Sequence, residues 1–360
     1  MALRDRLIAQ IARYGPITVA DYADICLNDP VEGYYATHPN LGEAGDFITA
    51  PMITQMFGEG LGLWAAEVWS RLGRPKRVRL VEIGPGLGVM MVDILRAARI
   101  LPAFLDSIEV WLVETSRPLR ARQAETLRGL ASPRWVSTLD EAPEDAPMIV
   151  LANEVLDCLP IRQAILGRAG WRERRVGLDT FGALAFVTGE AITPPGLGDA
   201  ALRDARPGAV AEWSPPLAVL GRAVAAKITR CGGAGLFIDY GHAAPALGDT
   251  LQAVRHHRKE HPLSHPGAAD LTAHVDFQTF LAAGQCAGAW TGPIRTQGEF
   301  LIDLGLPARA EILARTRPDQ ADVIGRQLER LIGPDQMGVL FKCAALASPG
   351  LVPPVFEAGA

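Results

Sequence analysis

Residues 77–98 read RVRLVEIGPGLGVMMVDILRAA, and this stretch decides the fold. Val78, Leu80, Val81 and Ile83 form a short apolar run with a β-branched bias, as expected of a buried parallel strand. Glycines follow at 84, 86 and 88. Val89, Val92, Ile94 and Leu95 then recur at helical spacing with no breaker between them. Strand, glycine turn and helix in that order make a nucleotide-cofactor site, because a turn without side chains lets bare backbone approach a ligand.

The spacing narrows the cofactor. A dinucleotide fold wants G-x-G-x-x-G, which would put its third glycine at Val89; here the glycines run G-x-G-x-G. That disfavours an NAD oxidoreductase. Glu82 stands two residues before the first glycine, at the end of the strand. A carboxylate there would repel a pyrophosphate but suits a ligand that carries an ammonium group and a sulfonium. The pattern resembles the first motif of class I S-adenosylmethionine (SAM) methyltransferases. On that resemblance Glu82, Gly84, Pro85, Gly86 and Gly88 are expected to bind SAM. A tight strand-to-helix turn with no ligand is the alternative.

Composition sets the outer bounds. A hydrophobic fraction of 49% and a charged fraction of 21% in 360 residues describe a globular chain able to bury a sizeable core. The net charge of −5 draws the surface neither to nucleic acid nor to anionic lipid, so neither is expected as a partner. Cysteines 26, 158, 231, 286 and 343 are scattered and never paired as C-x-x-C. They read as reduced thiols in a reducing compartment, with no metal site. No apolar run reaches the ~18 residues of a membrane span. The opening MALRDRLIAQIARYG reads as an amphipathic helix rather than a secretory signal. The expected location is the bacterial cytoplasm, or the mitochondrial matrix in a eukaryote.

Outward from the central stretch, residues 1–75 read as a helical lead-in with a lid over cofactor and substrate. The long loop NDPVEGYYATHPNLGEAGDFITAP is too rich in Gly, Pro, Asn and Asp to be regular, yet too aromatic to be disordered. A helix is expected from about 51 to 72, with Pro51 in its first turn. Residues 76–346 read as the catalytic domain, alternating strand and helix as a parallel sheet covered on both faces does. Insertions are expected near 161–212 and 243–275, and residues 347–360 as a flexible tail. Further strands are expected at 107–114, 134–137, 148–152, 235–242, 287–291 and 338–346. With the first they give a seven-stranded, Rossmann-like α/β sheet.

Two strand ends attract attention. The second strand ends at Glu114, about 26 residues past Gly88, where such folds place a carboxylate on ribose hydroxyls. Thr115 and Ser116 follow it and are grouped with it as cofactor-binding. The fourth strand runs into Asn153-Glu154-Val155-Leu156-Asp157. Three polar residues within one turn of an apolar run suggest a pocket, while a helix N-terminus with favourable acids is the plainer reading. His257, His261 and His265 are four apart, but Pro262 and Pro266 break the helix that would align them.

The combination of Gly45-Asp46-Phe47-Ile48-Thr49-Ala50-Pro51, Glu82-Ile83-Gly84-Pro85-Gly86, Asn153-Glu154-Val155-Leu156-Asp157, Asp239-Tyr240-Gly241-His242 and Asp270-Leu271-Thr272-Ala273-His274 resembles the MidA family across nearly the whole chain. Its mitochondrial members assist assembly of respiratory complex I by methylating an arginine on a core subunit. The resemblance implies a SAM-dependent protein arginine methyltransferase whose partner is a complex I quinone-site subunit. One departure is Leu251-Gln252-Ala253-Val254-Arg255-His256-His257, where a more tyrosine-rich segment is expected. A guanidinium nucleophile is cationic and must lose a proton around transfer, so carboxylates must hold its fork and accept that proton. Glu154, Asp157, Asp46 and Asp239 are the candidates. Asn153, Asp46 and Thr49 join the expected SAM contacts. A SAM-fold assembly chaperone with little catalysis and a small-molecule methyltransferase are the competing readings.

Overall fold

A computed structural model describes residues 2–37 and 49–357. Seven strands carry its main sheet: β1 (Val78–Ile83), β2 (Ile108–Val113), β3 (Arg134–Val136), β4 (Met148–Asn153), β5 (Gly233–His242), β6 (Trp290–Thr291) and β7 (Phe341–Ala347). Their order is β6-β7-β5-β4-β1-β2-β3. β1 is parallel to β2 and β4, with β3 parallel outside β2 and β5 parallel outside β4. β7 is antiparallel to β5, and β6 to β7. Each expected strand has a counterpart, but of 287–291 only Trp290–Thr291 pairs, and 338–340, expected to open the last strand, belong to helix Met337–Leu340. The two-residue strand Arg295–Thr296 also pairs with β7, so the sheet exceeds the seven strands expected; a pairing that short carries no apolar run to read.

This order positions the site. The chain builds β1, β2 and β3 in one direction, then returns to the other side of β1 for β4 and β5. The sheet therefore reverses between β1 and β4, where open α/β sheets bind ligands beyond the carboxyl ends of their strands. β1 and β4 are buried at every position, which is why neither alternates apolar with polar residues; in β1 the buried positions include Arg79 and Glu82.

Helix α1 (Gln55–Arg71) packs against α2 (Val89–Ala98), and its glycines are the reason the two approach so closely. A Cβ at Gly58 would lie 2.7 Å from the Asp93 Cβ, and one at Gly62 3.0 Å from the Ala97 Cβ. The single helix expected from 51 to 72 is instead two. Thr54 is extended and its hydroxyl accepts from the Met56 N–H, separating Ala50–Ile53 from α1.

The tail is a correction. Phe356 is 1% exposed and lies 5.7 Å from the Phe300 ring. The Trp64 indole donates to the Pro354 carbonyl, and Arg71 to that of Val352. Residues 348–357 therefore pack on the core rather than fray, because apolar Leu351 and Phe356 have a surface to bury against.

The compact units do not follow the linear boundaries at 75 and 346. One unit holds Ile48–Val155, Val219–Gly241 and Phe280–Ala360, including the sheet. The other gathers Met1–Phe47, Leu156–Ala218 and His242–Thr279, so the first part of the lead-in folds with the insertions while its second part belongs to the sheet unit. In this smaller unit Leu3, Leu7 and Ile11 line one face of helix Leu3–Tyr14, and Thr18 and Asp21 form a capping box ahead of Val19–Asn28. Strands Arg162–Gly167, Gly170–Leu178, Leu184–Ala191 and Val210–Trp213 pair antiparallel. The stretch 191–212, whose many Gly, Pro and Ala residues read as a loop, thus ends in a strand and also contains helix Asp199–Asp204.

The histidine-rich stretch is a hairpin, Gln252–Arg255 against Arg258–Glu260, turning through His256 and His257 at positive φ. Among the described residues no three His, Cys, Asp or Glu are grouped to hold a metal. No described helix is long and apolar enough to cross a membrane.

Candidate functional site

The glycine turn is strained in a way only glycine tolerates. Gly84, Gly86 and Gly88 have φ of 63°, 51° and 78°, left-handed values that cost other residues roughly 1–2 kcal/mol each. At Gly84 a Cβ would also fall 2.2 Å from Val155 Cγ2. Pro85 is buried, and its carbonyl accepts from the Gly88 N–H at 2.7 Å, closing the turn.

Two buried acceptors lie at the strand ends beside this turn. Glu82 is 2% exposed, and among the described residues its Oε2 has no hydrogen-bond partner. Burial alone pushes its carboxyl up to about 8. Asn153, the last residue of β4, has an equally unpartnered Oδ1. The register pairs Glu82 with Leu151 and Ile83 with Ala152, so Glu82 and Asn153 fall on one face of the sheet. Left without a donor, each would cost several kcal/mol by desolvation. A ligand bearing an ammonium group would satisfy both.

Glu114 is also buried, but held. One oxygen accepts from the Ser116 N–H at 2.8 Å, the other from the Gln123 side-chain amide at 3.1 Å. Burial raises its carboxyl, while those bonds pull it back. Each oxygen keeps lone-pair capacity for a hydroxyl donor, which is what a ribose diol offers. The Ser116 hydroxyl caps helix α3 (Arg117–Thr126), accepting from Leu119 N–H, and Thr115 is exposed. Gln123 was not singled out from the sequence. Its one signal is position: it follows Leu119 by four residues, and these two are the buried positions of α3.

The end of β4 holds the acids expected there, in a different arrangement. No helix starts at Glu154; the segment 154–160 is turn and bend. Glu154 has φ 53°, and its Oε1 accepts from the Ala50 N–H at 3.0 Å and from the Asn153 amide at 3.1 Å. Asp239 is fully buried. Its two oxygens accept from the Val155 and Tyr240 N–H groups, so it clamps the ends of β4 and β5 and supports the strained backbone at Glu154. Thr49 precedes helix Ala50–Ile53 as an extended N-cap without a side-chain bond. Asp46 lies outside the described residues.

Asp157 belongs to the smaller unit. It is 8% exposed there, with Asp270 at 4%, and Ala273 N–H donates to its carbonyl. Burial, then the charges of Cys158, Asp270 and Asp157, push the Tyr35 phenol well up. Tyr35 thus stays a proton donor beside two carboxylates, a cluster whose members are too far apart in sequence to be grouped by spacing.

Fold and site together define a class I methyltransferase, and the comparisons agree. Residues 60–294 match the family described as "Putative S-adenosyl-L-methionine-dependent methyltransferase". The chain belongs to that family, and its cofactor is SAM. It is 36% identical over 95% of its length to protein arginine methyltransferase NDUFAF7, mitochondrial, of Xenopus tropicalis, covering 84% of that protein. The human protein of the same name is 34% identical over 94% of the chain, with 82% of its own length covered. A Burkholderia thailandensis protein, crystallised with S-adenosyl-homocysteine, superposes with a TM-score of 0.83 at 31% identity, covering 96% of this chain and 91% of that one.

Proposed function

We propose that this methyltransferase modifies an arginine side chain of a protein partner, a quinone-site subunit of respiratory complex I, and supports that subunit's assembly. The observation that carries the reading is the carboxylate constellation at the end of β4. Glu154 is anchored through one oxygen to the Ala50 N–H and set on a backbone turn that Asp239 clamps. The names of the relatives support the arginine, and the MidA resemblance supports the complex I partner.

On this reading Glu82 and Asn153 take the ammonium end of the cofactor, and the turn at Gly84, Pro85, Gly86 and Gly88 lies against its methionine part. Glu114 takes the ribose hydroxyls, with the Thr115 and Ser116 backbone beside it. Thr49 adds a contact from the chain before α1; Asp46 and most of the expected lid lie outside the described residues. The cofactor supplies an already activated methyl group. The protein's contribution is then alignment, worth up to ~7–11 kcal/mol in favourable cases, and management of one proton. Glu154 holds the guanidinium and accepts its proton, and Asp239 keeps Glu154 in place. The compartment proposed is a reducing one, bacterial cytoplasm or mitochondrial matrix, consistent with five cysteines that form no disulfide.

The test is mass spectrometry of the complex I quinone-site subunit from cells with and without this gene. A methylated arginine present only with the gene is expected. Identical arginine masses in both strains overturn the reading and favour an assembly chaperone.

A further inference from the structure

Gln123 is 0% exposed, and every polar atom of its side chain is used. Its amide nitrogen donates to the Gly86 carbonyl at 2.9 Å and to the Glu114 carboxylate at 3.1 Å. Its amide oxygen accepts from the Trp135 indole N–H at 2.8 Å. Chemistry fixes this orientation. A carbonyl and a carboxylate only accept and an indole N–H only donates, so a flipped amide would break all three bonds. The side chain also lies under the turn, 3.6 Å from where a Cβ on Gly88 would stand. One buried amide, 37 residues from Gly86 in the chain, therefore joins the glycine turn to the second-strand carboxylate.

We propose that Gln123 is a positioning residue of the cofactor site, setting the distance and angle between the glycine turn and the Glu114 carboxylate so that methionine and ribose are gripped together. This rests on the reading of Glu114 as the ribose acceptor. Gly86 and Glu114 sit on loops leaving different strands, β1 and β2, and those loops could shift independently. With Gln123 in place a movement of either costs a buried hydrogen bond, so the site is held ready before the ligand arrives. Trp135 on β3 fixes the amide in turn, extending the support across three adjacent strands.

The experiment uses the full chain. Gln123→Glu keeps the shape and the acceptor for Trp135 but removes both donors and sets a second carboxylate against Glu114. Calorimetric binding of S-adenosyl-homocysteine should weaken by about 10- to 100-fold, the worth of hydrogen bonds to a charged group. In turnover the loss should fall on KM for SAM more than on kcat. Trp135→Phe, a milder change that keeps the variant set informative if Gln123→Glu folds poorly, should weaken binding by about 3-fold, a single neutral hydrogen bond. A purely structural role would lower the unfolding midpoint without this preference for the ribose. The same titrations with the 2′,3′-dideoxy analogue of S-adenosyl-homocysteine should therefore show wild type and Gln123→Glu nearly equal. Unchanged affinity in folded Gln123→Glu, or an equal loss with both ligands, overturns the proposal. Glu114→Ala separates the two ideas. If it leaves S-adenosyl-homocysteine affinity untouched, the ribose reading falls and the proposal with it. If it weakens binding while both Gln123→Glu and Trp135→Phe do not, only the positioning role falls.

Discussion

Two ends of one strand treat buried charge in opposite ways. Arg79 and Glu82 lie three residues apart on β1 and are each 2% exposed. At the amino end the Arg79 charge is paired, although its Nε makes no hydrogen bond among the described residues: Asp145 forms an ion pair with it, Glu109 lies 3.6 Å away, and the Trp111 ring lies 5.8 Å from its guanidinium carbon. At the carboxyl end Glu82 has no cation in contact among the described residues, and its carboxyl is displaced to about 8. A fold that matches one buried charge and leaves its neighbour unmatched along 10 Å of backbone is not short of means to match the second. The difference marks which end of the sheet is built for stability and which for a ligand.

The comparison can be broken by mutation, and the largest effect is expected just beyond it, at the residue that follows β4. Glu154→Gln keeps size and an acceptor for the Ala50 N–H but loses the charge. Methyl transfer to the partner should fall by at least ~100-fold, the scale of a general base, while binding of S-adenosyl-homocysteine persists. Retained transfer would remove Glu154 from the chemistry.

Glu82→Gln should lower affinity for SAM by about 10- to 100-fold, as expected for loss of a hydrogen-bonded charge partner, and yet stabilise the ligand-free protein at alkaline pH. The sign follows from linkage. The folded-state value of about 8 lies above the ordinary 4.5, so the folded protein keeps a proton that the unfolded chain releases between those values. Stability therefore falls as pH rises through that window. The variant lacks that fall, so its unfolding midpoint should exceed wild type at pH 8 by more than at pH 5. Equal differences at the two pH values would mean Glu82 is not held as described.

The wild-type site should also release a proton when SAM binds at pH 7, because the cofactor's cation favours the charged carboxylate. Calorimetry in two buffers of different ionisation enthalpy measures it, and Glu82→Gln should abolish it. At the other end, Arg79→Met should lower the unfolding midpoint by several degrees while leaving SAM affinity unchanged. A loss of affinity there would show that the two ends are coupled. This is the smallest effect expected on the site.

Much of this was legible in the chain because its determinants are local. Glycines at 84, 86 and 88 need no tertiary information to be read as a ligand-approach turn, since left-handed backbone is a property of the residue. Buried parallel strands announce themselves as apolar runs, so the seven strands could be placed in chain order. Glu82 and Glu114 could be named because each sits at a fixed offset from those runs.

What the tertiary structure decided involves partners distant in sequence. Gln123 reads as one polar residue in a charged helix until Gly86, Glu114 and Trp135 close around it. The acids after β4 looked like a helix start, but pairing of β4 with β5 puts Asp239 against the Val155 N–H and holds Glu154 left-handed. Position after the last strand suggested a loose tail, whereas Phe356 finds Phe300. The first part of the lead-in and the insertions fold as one unit because Leu3, Tyr22, Val176 and Leu271 bury together. Periodicity shows that each segment has an apolar face; which faces meet depends on chain folding over long separations, and only the assembled structure resolves it.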